Sequence, residues 1–389
     1  MQNNSKILLV GRASKNIGGN ATGGISKHIE DLSKALIQNS IEPYIWDFKI
    51  NKSYDVDGIH VLGLNNINMI KGILYSLIKL NILFSSHFSH LTLKNKFIVA
   101  IQTYHLKQIV EKYQFKTIHV HSLNRPITSF LRDRFPNQRI VITDHGFWQK
   151  KGISQNPKNK VYQNIVKNID VSDKIITISK FSIEQFHAFN LPTEKTASIP
   201  NPIDILEIPF NKSIKKENII FFNGYNESVS RKNIVKLVHA LKTNSFFNNY
   251  KLVAIVNEEG RAYLNNQELD FKVEILGSQS WENVVALYNK SKILVVPSKS
   301  ESFGLVYLEA LAVGTPIIGF YKTVSEFKAI LKLDIGEVFN DEEETAEELA
   351  SKIKNTLSKN YNPETLRQAV KDNFDWNTQI YKFIELYKF

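Results

Sequence analysis

The sequence predicts an α/β protein made of two doubly wound domains, each a largely parallel sheet with helices on both faces. Three observations carry this prediction. Short β-branched runs alternate with amphipathic stretches along the whole chain, the pattern of βαβ units rather than of sandwiches or bundles. The 389 residues exceed the size at which a single core stops growing. The stretch IPNPIDILEIPFNKS, residues 199–213, sets Pro200, Pro202 and Pro209 where a long helix cannot form and a linker can.

Taken in order, KILLVG (6–11), IEPYIWDF (41–48), KTIHVH (116–121), RIVITD (139–144) and KIITIS (174–179) read as strands of a first sheet. NIIFFNG (218–224), YKLVAIV (250–256), KVEILG (272–277), KILVVPS (292–298) and TPIIGF (315–320) read as strands of a second. These runs are nearly continuous in apolar residues, as strands covered on both faces are. The expected division is 1–200 for a first domain, 201–373 for a second, and 374–389 for a closing helix. Open sheets of this kind bind ligands outside the carboxyl ends of their strands, so a cleft where two such ends face each other is the expected place for a site.

The chain has no cysteine, which excludes disulfides and thiolate metal sites. No stretch approaches the ~20 uninterrupted apolar residues of a spanning helix, and the start MQNNSKILLVG lacks a signal-peptide pattern. A cytoplasmic location is the expectation. The formal net charge of +11 is unevenly divided. Residues 1–200 carry 26 Lys and Arg against 13 Asp and Glu, whereas residues 201–389 carry 23 against 25. The basic half would suit an acidic partner, either nucleic acid or an anionic membrane surface, although a Lys-rich surface without a partner gives the same count. MIKGILYSLIKLNILF (69–84) sets Ile70, Ile73, Leu74, Leu77 and Phe84 at helical spacing beside Lys71 and Lys79. It reads as an interfacial helix or as a core helix of the first domain.

In SKSESFGLVYLEALAVGTPIIGF (298–320), two acids lie eight positions apart, Glu301 and Glu309. The spacing predicts a strand ending at the loop KSES and a helix from near Phe303 to Val313. The amides of Phe303, Gly304 and Leu305 would then be unpaired at the helix start and suited to an anion, with Gly304 allowing close approach. Alone, the two acids would equally suit a helix-start charge and a solvated one. The loop NGYNESVSRKN (223–233) offers Arg231 and Lys232 after the first strand of the second domain. Asp55 and Asp57 of YDVDG (54–58) form an Asp-x-Asp, which in a turn-like context reads as a turn rather than a metal site.

The segment 275–320, with its two Glu separated by seven residues inside PS…ESFG…LEALA.G.P, resembles the retaining family-four glycosyltransferases of the GT-B fold. The likeness extends to GGISKHIEDLSKAL (23–36), HVHS (119–122), TDHGFW (143–148), DKIITISKFS (173–182), IPNPID (199–204) and FDWNTQIYKFIELY (374–387). The resemblance implies two Rossmann-like domains facing across a cleft, 1–200 on the acceptor side and 201–373 binding the nucleotide sugar, with 374–389 returning to the first domain, and no metal. It implies a nucleotide-sugar co-substrate linked to UDP or GDP, and a saccharide or lipid-linked acceptor; the basic half adds the expectation that the acceptor is met at the inner face of the cytoplasmic membrane. It assigns catalytic roles to Glu301 on the transferred sugar, to Arg231 and Lys232 on the leaving diphosphate, and to His145. Donor contacts go to Glu309 on the ribose, to Ser302, Phe303, Gly304 and Leu305, and to Gly23 and Gly24. Read alone, Gly23 and Gly24 would be an ordinary turn and His145 a packing residue; His119 and His121 share one face of a strand.

Two positions depart from the family pattern. Tyr225 stands where an Arg often follows the glycine, and Pro202 ends PNP where PNG is common. The expected activity is hexosyl or N-acetylhexosaminyl transfer with retention of configuration in envelope polysaccharide synthesis. Rivals are a sugar-nucleotide epimerase, a phosphorylase, and a non-catalytic partner subunit of the same fold. Nucleic-acid binding is not expected, because the basic half has no motif of stacking aromatics among basic residues.

Overall fold

The computed structural model describes residues 5–21, 23–64, 66–78, 91–149 and 152–388. The chain divides into two units, Met1–Asn201 with Gln379–Phe389, and Pro202–Thr378.

The first unit is built on β1 (Ser5–Val10), β2 (Ile41–Asp47), β3 (Tyr54–Val56), β4 (Ile59–Gly63), β5 (Thr117–His121), β6 (Arg139–Asp144), β7 (Lys174–Thr177) and β8 (Thr196–Ser198). They form one sheet in the order β3-β4-β2-β1-β5-β6-β7-β8, parallel except where β3 meets β4. Ile7 through Val10, Ile118, Val120 and Ile140 through Ile142 are buried, which is why these strands read as unbroken apolar runs. The order β2-β1-β5 reverses direction beside β1, placing the crevice of a doubly wound sheet at the carboxyl ends of β1 and β5. Asp55 lies within strand β3, and Asp57 with Gly58 makes the two-residue hairpin turn, both at positive φ. The Asp-x-Asp therefore belongs to a hairpin.

The last helix, Trp376–Tyr387, joins the first unit from Gln379 onward. Ile380 and Phe383 are buried there. Its last carbonyls are taken by the first sheet: Arg139 Nε donates to Leu386 O at 2.6 Å and Thr117 Oγ1 to Tyr387 O at 3.2 Å. This satisfies groups that a helix end otherwise leaves open.

The second unit holds β9 (Glu217–Asn223), β10 (Lys251–Ile255), β11 (Lys272–Leu276), β12 (Ser291–Val296), β13 (Ile317–Phe320) and β14 (Gly336–Phe339), all parallel in the order β11-β10-β9-β12-β13-β14. The order reverses between β9 and β12, so the loops after these two strands meet. Side-chain caps start the surrounding helices: Asn233 for Ile234–Lys242, Ser280 for Trp281–Lys290, and a full capping box of Thr345 and Glu348 for Ala346–Ser358.

In the first unit the helix Asn66–Ile78 packs through Gly72, where an added Cβ would lie 3.0 Å from Ile101. Met69, Ile70, Ile73 and Leu74 remain exposed. Lys79, Phe84 and the side chain of Leu77 lie outside the described residues. Among the described residues no helix is long and apolar enough to cross a membrane.

Candidate active site

In the second unit, β12 is buried along Ile293–Val296, and the chain turns sharply where Ser298 N donates to Val296 O at 2.7 Å. This turn carries Glu301 back over the end of β9. Glu301 is 5 % exposed. Its Oε1 accepts from Lys232 Nζ at 2.5 Å and from Ser298 Oγ at 2.7 Å, and its Oε2 from Arg231 Nη1 at 3.1 Å. Arg231 also donates to Ser300 O at 3.2 Å and, through Nε, to Glu227 at 2.6 Å, while Lys299 N donates to Arg231 O. One buried carboxylate thus faces two cations, and the loops after β9 and β12 are locked together through it.

Burial alone would raise the Glu301 carboxyl, but Lys232 and Arg231 reverse the effect and hold it below its ordinary value. Burial likewise works against the Arg231 cation, and Glu301 with Glu227 outweighs it, so the guanidinium is held above its usual value. Glu301, Arg231 and Lys232, chosen from separate stretches of sequence, are one cluster with a surplus of positive charge between Glu301 and its two partners. Ser298 belongs to it too, although in the sequence it is only one of several loop serines.

Glu309 lies in the helix Leu305–Leu311, part-buried, and its Oε2 accepts from Tyr288 Oη at 2.7 Å. Tyr288 Oη in turn accepts from Asn223 Nδ2 at 2.8 Å. Burial first, then Glu309, pushes the Tyr288 phenol well above its ordinary value, so it stays a donor. Asn223 closes β9, which ties Glu309 to the same strand end that leads to Arg231. Sequence reasoning misses Tyr288, which reads as a core aromatic.

The bounds of the helix that follows Glu301 differ from those expected. The helix begins at Leu305, not Phe303, and ends at Leu311, because Gly304 sits at φ 83° and Gly314 at φ 71°, outside helical geometry. The Phe303 ring is core, 5.2 Å from Phe327 and 6.2 Å from Phe374. Gly304 is required by its left-handed φ and by Tyr307, whose ring would lie 2.5 Å from an added Cβ. Ser302 and Leu305 are half-buried. Tyr307 itself bridges strand ends, donating to Val296 O at 2.8 Å and accepting from Phe320 N at 3.2 Å.

In the first unit, Gly23 at φ 102° precedes the helix Gly24–Gln38, and among the described residues no side chain caps the first amides of that helix. His28 of this helix lies with its ring 5.5 Å from His121, the last residue of β5, and 5.0 Å from His145, which follows β6. His145 Nε2 is 3.4 Å from His121 Nδ1. Burial first, then Arg125, lowers the His145 imidazole to about 3. His28 is held well below its ordinary value by burial, then by the charges of His145 and His119, and His121 by burial, then by those of His119 and His28. All are neutral near pH 7. His119 is fully committed, with Nδ1 at 2.8 Å from Tyr387 Oη and Nε2 at 2.7 Å from Thr143 Oγ1, and serves packing. His28 and Arg125 are not singled out by the sequence, because only the sheet order brings them beside His145.

The family described as Glycosyltransferase Family 4 matches residues 22–206, and that described as Glycosyl transferases group 1 matches residues 204–373. The chain is 28% identical over 183 residues to an uncharacterized glycosyltransferase of Methanocaldococcus jannaschii, covering 41% of this chain and 50% of that protein. It is 30% identical over 193 residues to the O-antigen chain mannosyltransferase RfbU of Salmonella typhimurium, covering 47% and 51%. The chain thus spans about half the length of these curated relatives. Its fold matches sucrose-phosphate synthase from Thermosynechococcus elongatus with a TM-score of 0.70 at 17% identity, over 98% of both chains. Two parallel-sheet units, the acid pair and its cations, and family matches that run from residue 22 to residue 373 together establish that this chain belongs to the family-four glycosyltransferases of the GT-B fold.

Proposed function

We propose that the chain transfers a hexosyl or N-acetylhexosaminyl group from a UDP- or GDP-linked donor to a saccharide or lipid-linked acceptor, with retention, in the synthesis of envelope or surface polysaccharide. The observation that carries this is the Glu301–Arg231–Lys232 cluster at the carboxyl ends of β9 and β12. Breaking the sugar–phosphate bond builds negative charge on the leaving diphosphate, and preorganised cations lower the barrier to that step. Arg231 and Lys232 are the cations for it. On this reading the incoming diphosphate takes over hydrogen bonds that Glu301 holds in the unliganded chain, and the carboxylate turns to the hydroxyls of the transferred sugar. Glu309, steadied by Tyr288, accepts from the ribose diol, and no metal is needed to neutralise the diphosphate.

Retention follows most economically from attack on the face the diphosphate leaves. The bond from the anomeric carbon to the phosphate oxygen breaks with its electron pair staying on the diphosphate. The acceptor oxygen bonds to the same face, and its proton passes to the departing phosphate. Double displacement needs a carboxylate on the opposite face, and the matched motifs supply none. Screening UDP- and GDP-sugars for hydrolysis without acceptor tests the reading. Release of nucleoside diphosphate from one class of donor supports it, and a changed sugar nucleotide with no release points to an epimerase.

A second reading concerns where the acceptor is met. The exposed Met69, Ile70, Ile73 and Leu74, with exposed Lys71 on the same helix of the basic half, support docking on an anionic membrane. Co-sedimentation with anionic vesicles that falls at high salt and with Lys71→Glu supports it; binding indifferent to lipid charge overturns it.

A further inference from the structure

The carboxyl end of the first sheet holds a positive charge without a matching negative one. Arg125, four residues beyond the end of β5, is half-buried, and its side chain donates one hydrogen bond, Nε to His121 O at 3.2 Å. Among the described residues it forms no ion pair. The nearest acid in charge terms is Asp47, the buried last residue of β2, and it is already taken. Asp47 Oδ2 accepts from Arg12 Nε at 3.0 Å and from Ala13 N at 3.0 Å, and its Oδ1 from Lys49 N at 3.0 Å. Arg12 is therefore neutralised and Arg125 is not. Burial, with Arg12 adding to it against Asp47, lowers the Arg125 guanidinium to about 10. A half-buried charge in this state costs stability unless something completes it.

Three further features surround it. The imidazoles of His28, His121 and His145 are neutral and offer no counter-charge. The helix Gly24–Gln38 directs its amino end to the same side of the sheet, since His28 in its second turn meets both His121 and His145, and its first turn carries no acid. Ser122, between β5 and Arg125, is held at φ 139°, a conformation that L side chains rarely adopt. The chain accepts that strain where it turns Arg125 toward the sheet end.

We propose that this end of the first unit binds an acceptor that carries a phosphate or carboxylate group, anchored by the Arg125 guanidinium and supported by the first amides of the helix Gly24–Gln38. The inference rests on the transferase reading for the word acceptor, and on the unit's own geometry for the anion. A guanidinium fork matches either oxyanion in two parallel hydrogen bonds, and two nitrogens of Arg125 have no partner among the described residues to compete with that role. A neutral polysaccharide end would leave this charge buried and unanswered. The acceptor class is accordingly an anionic sugar, polyol or lipid phosphate, or a hydroxy acid.

The test uses the full chain with Arg231→Ala and Lys232→Ala, which removes the candidate diphosphate cluster of the second unit. Inorganic phosphate and acetate are titrated separately and followed by amide chemical shifts. Saturable shifts confined to residues 11–28 and 121–146 are expected, weakened tenfold or more by adding Arg125→Gln. The ion bound more tightly reads whether the natural group is phosphate or carboxylate. Arg125→Lys, which keeps the charge and loses the fork, should give an intermediate loss of about three- to tenfold, and it decides the point if the Gln variant does not fold. Binding that is unchanged by Arg125→Lys or Arg125→Gln, or absent for both ions, overturns the proposal. Donor hydrolysis by the unaltered chain tests the transferase reading separately, so the two can fail independently.

Discussion

Replacing Glu301 by Gln should do two opposite things, and the structure gives the size of each. The carboxylate is buried and is shared by Arg231 at 3.1 Å and Lys232 at 2.5 Å. Removing its charge leaves the buried Lys232 ammonium without its acid beside Arg231, which keeps Glu227. Breaking a buried pair from one side costs about 3–5 kcal/mol. For a domain the size of the second unit this lowers the melting temperature by roughly 6–20 °C, at ~2–4 °C per kcal/mol. The same change frees both cations for a diphosphate, so UDP or GDP should bind Glu301→Gln at least as tightly as the unaltered chain and recover part of the lost melting temperature. Turnover should still fall by orders of magnitude, because the transferred sugar loses its acceptor of hydrogen bonds. Differential scanning fluorimetry with and without nucleotide reads the first two effects. Equal melting temperatures without nucleotide, together with weaker nucleotide binding by the variant, would refute the reasoning. The pH dependence has a fixed sign. The Glu301 carboxyl is held below its ordinary value of 4.5, so its contribution is present above that pH and is lost as pH falls through the folded value. Glu301→Gln should lack that part of the acid-induced loss.

Further expectations concern the neighbouring groups. Arg231→Ala with Lys232→Ala should reduce turnover more than donor affinity, and initial-rate kinetics would show kcat falling further than KM rises. Glu309→Ala should weaken nucleoside diphosphate binding by about 1–3 kcal/mol, the scale of a lost charged hydrogen bond. Tyr288→Phe should weaken it less and leave kcat near normal, and calorimetric titration with UDP or GDP measures both. His28, His121 and His145 are neutral in the folded chain and take up protons when it unfolds, so stability should fall as pH drops below about 6.5. Their ring resonances should not titrate between pH 6 and 8.

How much of this was legible in the sequence depends on what each element reports to its own neighbours. KILLVG, RIVITD and KILVVPS are strands covered on both faces, and continuous apolar runs announce them. TAS at β8 and GEVF at β14 are too short to show a period, and β4 hides behind the hairpin turn at Asp57 and Gly58. Glu301 and Glu309 are visible because their spacing and loop context travel together along the chain. The helix between them starts two residues late, since a glycine's positive φ cannot be read from its letter, nor can the packing of Tyr307 against Gly304. Arg125 and His28 are invisible for another reason. Residues nearly one hundred apart in sequence meet only because β5 and β6 lie on one side of β1, and no local pattern encodes a sheet order. Tyr288 likewise gains its meaning from Glu309 and Asn223, which reach it from different elements.

The most direct measurement is the release of nucleoside diphosphate from UDP- and GDP-sugars by the purified chain, with the sugar product followed by proton NMR. The account predicts release from a donor of one nucleotide class, a first-formed sugar product of the same anomeric configuration as the donor, and loss of release in Glu301→Gln and in Arg231→Ala with Lys232→Ala. Release at an undiminished rate in those variants, or an inverted product, would contradict it.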